Sequence, residues 1–192
     1  MTIFKIIYWA GVVIQIVIRT PFAMAVRSKP KAAQRVSTTE NVLLVILGLV
    51  YFVLPLIYTA TSWLGFADYH LPVWMGWLGA LVLAGSLLVF WRAHFDLKTN
   101  WSPSLEIRDD HTLITHGIYR YIRHPMYASQ LLWAIAQILL IQNGLAGPLD
   151  LVFFIPMYFL RVGAEEKLML DTFGSQYAEY MKKVGGLLPK LG

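Results

Sequence analysis

Two stretches of this 192-residue chain, Val42 to Thr61 and Val73 to Trp91, run without a single charged residue. An apolar helix of about twenty residues matches the ~30 Å hydrocarbon core of a bilayer. The chain is 57% hydrophobic and only 14% charged, where a soluble domain carries about 25% charged residues. The shortfall is not spread evenly but gathered into blocks. These blocks predict an all-α integral membrane protein and set aside a soluble enzyme.

Three further apolar segments accompany them. The first runs from Ile3 to about Val26 and contains Arg19 and Pro21. Lys5 ahead of this run and Ala-Met-Ala at 23 to 25 have the form of a signal peptide; the expectation taken here is a transmembrane helix. Pro55 is expected to kink the second segment, and Ala80 with Ala84 to give the third a close-packing face. The last two segments, Tyr127 to Ile141 and Leu145 to Leu160, turn into one another through Gln-Asn-Gly-Leu-Ala-Gly-Pro, 142–148, which takes in the start of the second. So short a connection predicts an antiparallel helical hairpin. About five transmembrane helices follow, in a single membrane domain over 1–192. Three N-terminal helices fill 1–91, and 92–192 forms a second half of loop, hairpin and tail.

Charge sets the expected orientation. The linker after the first segment holds Arg27, Lys29, Lys31 and Arg35 against Glu40 alone, and the tail after Arg161 adds lysines. The linker from Ser62 to Pro72 has no Lys or Arg, and the turn at 142–148 is uncharged. Cytoplasmic loops carry the excess of Lys and Arg, which places the basic linker, residues 92–126 and the tail in the cytoplasm. The same bias accounts for the net charge of +5 without nucleic acid. The absence of cysteine excludes disulfides, thiolate metal sites, cysteine nucleophiles and palmitoylation.

Chemistry has to be built from the polar residues that remain. Tyr-Arg-Tyr-Ile-Arg-His-Pro-Met-Tyr, 119 to 127, stands directly before the fourth segment. Pro125 pushes His124 toward an extended backbone and suits the first turn of a helix, whose free N–H groups attract anions. The plainer reading is an interfacial belt of Tyr, Arg and His. Arg161 and Glu165, four apart, share a helix face just after the fifth segment. On their own they could be a snorkelling arginine and its exposed partner. An antiparallel hairpin brings His124 and Tyr127 beside Arg161 and Glu165, and the convergence makes a site candidate. Gly117 permits a tight bend in the loop before it. His111, His116 and His124 are spaced as in no common metal site, so no metal is expected. Gln130 and Gln137, seven apart, would share a face for interhelical hydrogen bonds, and Asp150 would be solvated near the outer end of the fifth segment.

Taken in order, "HTLITHGIYRYIRHPMY", the hairpin, and "FLRVGAEEKLMLDTFGSQYAEYMKKVGGLLPK" resemble the isoprenylcysteine carboxyl methyltransferase family and the wider group of small membrane methyltransferases. The resemblance covers roughly residues 97–190; the N-terminal half is similar only in being hydrophobic. It implies S-adenosylmethionine as cofactor, bound on the cytosolic side between hairpin and tail. His111, Thr112, Leu113 and Ile114 would hold the adenosyl part; Tyr119, His124, Pro125, Met126, Tyr127 and Glu165 would hold the rest. Arg161 would bind the substrate carboxylate and, with Glu165, form the catalytic pair. The substrate would be a lipophilic, prenylcysteine-like molecule reaching the site from the bilayer. Eukaryotic members have a longer N-terminal membrane region, which leaves the prenyl-protein substrate open. The alternatives are a phospholipid or other amine methyltransferase, a sterol-type NADPH reductase, and a non-catalytic membrane protein.

Overall fold

The computed structural model describes residues 2–27, 38–100 and 112–190. Helix α1 (Thr2–Arg27) runs unbroken through Pro21. Helix α2 (Thr38–Gly48) passes through a π-helical turn, Leu49–Val53, into α3 (Leu54–Ala60). Helix α4 (Val73–Leu97) is followed by α5 (Pro125–Leu140), α6 (Leu149–Phe173) and α7 (Ser175–Lys183). Among the described residues there is no β-strand, only two isolated bridges. Thr2–Ala25, Asn41–Ala60 and Val73–Leu97 are each long and apolar enough to cross a membrane. The molecule is a multi-pass membrane protein.

Helix α5 is the centre of the bundle. It packs most extensively on α4, and also on α1 and α6. The close approach comes from glycine rather than from the expected alanines. A Cβ on Gly79 would stand 2.7 Å from the Leu139 Cβ, and one on Gly76 would stand 2.3 Å from the Phe4 ring. Ala84 faces outward instead. With 16 residues, α5 is about 24 Å long, too short for an ordinary span. It is tolerated because its ends are buried in protein rather than in lipid.

The far end of α5 shows how. The 141–148 turn lies under the 61–71 loop. The Tyr69 N–H donates to the Gln142 carbonyl (3.1 Å), and the Gly144 N–H to that of Ala67 (2.8 Å). Fully buried Asn143 donates to the Leu64 carbonyl (2.6 Å) and to Asp68 (2.9 Å), and accepts from the N–H groups of Leu145 and Ala146. Irregular backbone at membrane depth survives only when so satisfied.

A second polar knot holds the π-helical turn. Such a turn widens the helix by one residue and frees carbonyls from their usual donors. Gln137 of α5 donates to the Val50 carbonyl (3.0 Å) and to that of Ala146 (2.7 Å). Its side-chain oxygen lies 3.0 Å from the Tyr8 hydroxyl, which also reaches the Tyr51 carbonyl. The expected pairing of Gln130 with Gln137 on one face is not found: Gln137 is wholly buried and Gln130 exposed. Asp150, expected to be solvated, is 6% exposed, because the turn folds beneath the loop and takes the start of α6 inward.

Helix α6 does not stop at Leu160. It continues as one helix to Phe173 and ends at Gly174, whose φ of 51° lets the chain turn into α7. α7 buries Tyr177 and Tyr180 against Leu113, Met169 and Phe173.

Candidate active site

The site lies where α5 begins and where α6 has emerged from the apolar layer. Their antiparallel packing is the expected hairpin, and it brings two polar stretches of sequence together. The Tyr127 hydroxyl donates to Glu165 Oε2 (2.9 Å). His124 Nδ1 lies 3.6 Å from Glu165 Oε1, and His124 Nε2 lies 3.0 Å from Glu166 Oε1. The positive charge of Arg161 acts on Glu165 from one helical turn away. His124, Tyr127, Arg161 and Glu165 therefore meet, as the two helix ends predict.

Other expected residues fall around them. Pro125 is buried in the first turn of α5, and Met126 is half-buried beside it. The ring of Tyr119 is buried. Burial first, and then the negative charge of Glu165, hold its phenol protonated well above the usual tyrosine range. Leu113 packs instead on α7, Ile114 is half-buried, and Thr112 accepts and donates hydrogen bonds with Asn100. His111 lies outside the described residues.

Two residues without an assigned role in the sequence reading turn out to be central. Arg123 donates to Glu166 from Nη2 (2.7 Å) and Nε (3.2 Å). Its Nη1 donates to the carbonyls of Met181 and Val184. The N–H groups of Arg123 and His124 donate to the carbonyls of Gly185 (2.8 Å) and Gly186 (3.1 Å). The chain after α7 is thus strapped across the start of α5, and the anion-binding N–H groups expected there are partly taken by this strap. Both residues were visible in the two motifs. Their pairing was not, because it crosses 43 residues of sequence.

The electrostatics follow from this arrangement. Burial disfavours charge on His124, but hydrogen bonds and negative charge from Glu165 and Glu166 outweigh it and raise its pKa. Hydrogen bonds from His124 and Arg123 hold the Glu166 carboxyl at about 2, against an opposing effect of burial. Burial would push Glu165 up; bonds and charge from His124, Tyr127 and Arg161 leave it below its ordinary value. Glu165 remains about a third exposed, with side-chain relative accessibility of 34%. Glu166 is thus occupied in holding the strap, while the ionised Glu165 keeps about a third of its side chain exposed. His124 Nδ1 is buried 3.6 Å from Glu165 Oε1.

Fold and site together define a multi-pass helical membrane protein with a polar site at one end of a helical hairpin. A family model for isoprenylcysteine carboxyl methyltransferase (ICMT) matches residues 77–171, which contain that hairpin and all four converging side chains. Over this region the chain is similar to the isoprenylcysteine carboxyl methyltransferase family. The protein-S-isoprenylcysteine O-methyltransferase of Tribolium castaneum is 34% identical over 84 residues, covering 44% of this chain and 30% of the beetle protein. That of Saccharomyces cerevisiae is 39% identical over 84 residues, 42% of this chain and 34% of the yeast protein. The human enzyme is 29% identical over 118 residues, 60% of this chain and 42% of its own length. The chain thus spans less than half the length of each of these relatives. A solved structure of the eukaryotic intramembrane Ras methyltransferase ICMT shares the fold, with a TM-score of 0.52 at 24% identity over 81% of this chain and 53% of that one.

Proposed function

We propose that this protein is an S-adenosylmethionine-dependent methyltransferase that esterifies the carboxylate of a prenylcysteine-like lipid within the bilayer. The observation that carries this reading is the meeting of His124, Tyr127, Arg161 and Glu165 at one end of the α5–α6 hairpin, inside the matched region. Five spans, with the N-terminus outside and the site and C-terminus in the cytoplasm, complete the proposal, supported by the distribution of Lys and Arg.

The residues present fit the donor. Glu165 offers an ionised, partly exposed acceptor for hydroxyl or ammonium groups, with His124 against it and the protonated phenol of Tyr119 within reach of its charge. Leu113 and Ile114, with Thr112 and His111 preceding them, would hold the adenosyl part; His124, Pro125, Met126 and Tyr127 the remainder. When bound, S-adenosylmethionine supplies an electrophilic methyl group on a sulfonium sulfur. A carboxylate acceptor is already ionised at neutral pH, so the protein needs no general base. Arg161 fixes the acceptor carboxylate through two parallel N–H bonds, and Glu165, one turn away, orients the guanidinium. The buried start of α5 keeps water from the reacting groups. The lipid arrives laterally from the bilayer, while the donor comes from the aqueous side.

The test is methyl transfer from S-adenosylmethionine to a farnesylated cysteine analogue by the purified protein. A base-labile methyl ester is the expected product. A base-stable methylamine formed on a lipid amine would overturn the carboxylate assignment in favour of amine methylation.

A further inference from the structure

Asp96 lies outside the converging cluster, near the end of α4, and has no part in the mechanism above. Its side chain is only 3% exposed, an expensive position for a carboxylate unless it is fully engaged. It is engaged: Oδ2 accepts from the Ile118 N–H at 2.7 Å and from Arg92 Nε, one turn back on α4, at 3.1 Å. The residue before Ile118 is Gly117, with a φ of 61°. A Cβ there would stand 2.0 Å from Asp96 Oδ2. Glycine is therefore required at 117 twice over, by its backbone angle and by the carboxylate pressed against it. The 3₁₀ turn Gly117–Arg120 thus starts from a point fixed by α4. One residue on, the Tyr119 carbonyl accepts the Tyr180 hydroxyl of α7. Tyr119 is held from both sides, and its phenol feels Glu165 and Asp96 together.

We propose that Asp96 is the positioning residue of the donor site, its carboxylate fixing the main chain at 117–118 so that Tyr119 is presented to the Glu165 side of the hairpin. This rests on the reading of Tyr119 and Glu165 as donor-binding residues. It assigns donor affinity to α4, a helix that otherwise serves to pack α1 and α5. A carboxylate suits the task because its bond to a backbone N–H is charge-assisted, and its second bond to Arg92 keeps the ion paired at the protein surface.

The experiment is calorimetric binding of S-adenosylhomocysteine to the purified full chain in detergent, with acceptor KM measured at saturating S-adenosylmethionine. Loss of one charge-assisted bond to the turn predicts Kd weakened about 10- to 100-fold in Asp96→Ala, with acceptor KM changed less than about 2-fold. Asp96→Asn keeps an oxygen acceptor for the Ile118 N–H but not the charge, and its Kd is expected to fall between wild type and alanine, about 3- to 10-fold weaker than wild type. Asp96→Glu keeps the charge but displaces the oxygen by a methylene. It should bind about 10-fold more weakly, and it carries the test if the alanine protein does not fold. Wild-type Kd in the alanine or glutamate protein, or an asparagine protein as weak as alanine, would overturn the assignment. A wild-type protein that binds no S-adenosylhomocysteine would instead overturn the donor reading itself, a result visible before any variant is compared.

Discussion

Arg161, Glu165 and Glu166 sit on one helix within six residues, yet the structure gives them different tasks. Glu166 is bound by Arg123 and His124 and holds the strap, and Glu165 stays partly exposed. If Arg161 clamps an acceptor carboxylate, its loss should cost about 2–5 kcal/mol. That is roughly 30- to several-thousand-fold in kcat/KM. Arg161→Lys should recover little of it, since lysine cannot make two parallel bonds, while S-adenosylhomocysteine binding should hardly change. Near-wild-type methyl transfer in the lysine protein would rule out the clamp. The Glu166 contact makes a separate prediction about pH. A carboxyl depressed to about 2 contributes stability above the ordinary glutamate range of about 4.3, and loses it as pH falls toward 2. A histidine whose pKa is raised contributes below its ordinary value of about 6.5, and loses that contribution as pH rises through the raised value. The strap should therefore be firmest between about pH 4.5 and 6.5. Thermal unfolding of wild type and Glu166→Gln across pH would show this as a wild-type maximum that the variant lacks; matching profiles would mean that the contact contributes nothing.

At the scale of elements, the buried polar side chains explain both what was legible in the sequence and what was not. The hairpin was legible, because seven uncharged residues between two apolar runs leave α5 and α6 no other arrangement. The end of α6 was legible only in part: Arg161 and Glu165 read as sharing a helix face, but the continuation to Phe173 did not show, and it is held where Met169 and Phe173 pack on α7. The π-helical turn was hidden too. Pro55 marked irregularity in the right place, but the carbonyls of the π-helical turn find their donors far along the chain, Val50 in Gln137, 87 residues away, and Tyr51 in Tyr8. The Asp96–Gly117 contact is of the same kind, since no local pattern ties a helix end to a glycine 21 residues later. Only the permitted bend at Gly117 was visible beforehand. Interhelical hydrogen bonds in bilayers average about 0.6 kcal/mol, but Gln137 serves two buried carbonyls at once and meets Tyr8 as well. Gln137→Met should therefore lower stability by about 1–3 kcal/mol, read as a fall in Tm in detergent. An unchanged Tm would mean that the π-helical turn does not depend on α5.

For the whole molecule, the proposed orientation is open to a simple test because the chain has no cysteine of its own. Single cysteines at Ser62 and Ser175, both exposed, should react with impermeant reagents from opposite sides of the membrane. Labelling of both from one side would discard the five-span arrangement. The capped turn at the opposite end bears on how such a chain is made. Leu64 and Asp68 leave the ribosome well before Asn143, the residue that joins them. Until Asn143 arrives, the loop lacks the donor it was shaped for, and α5, short and carrying Gln130 and Gln137, is a weak candidate for insertion on its own. These contacts imply an order of assembly, with α1 to α4 in the membrane first and α5 and α6 added onto them as a pair, so that the hairpin half is completed only on a finished N-terminal half.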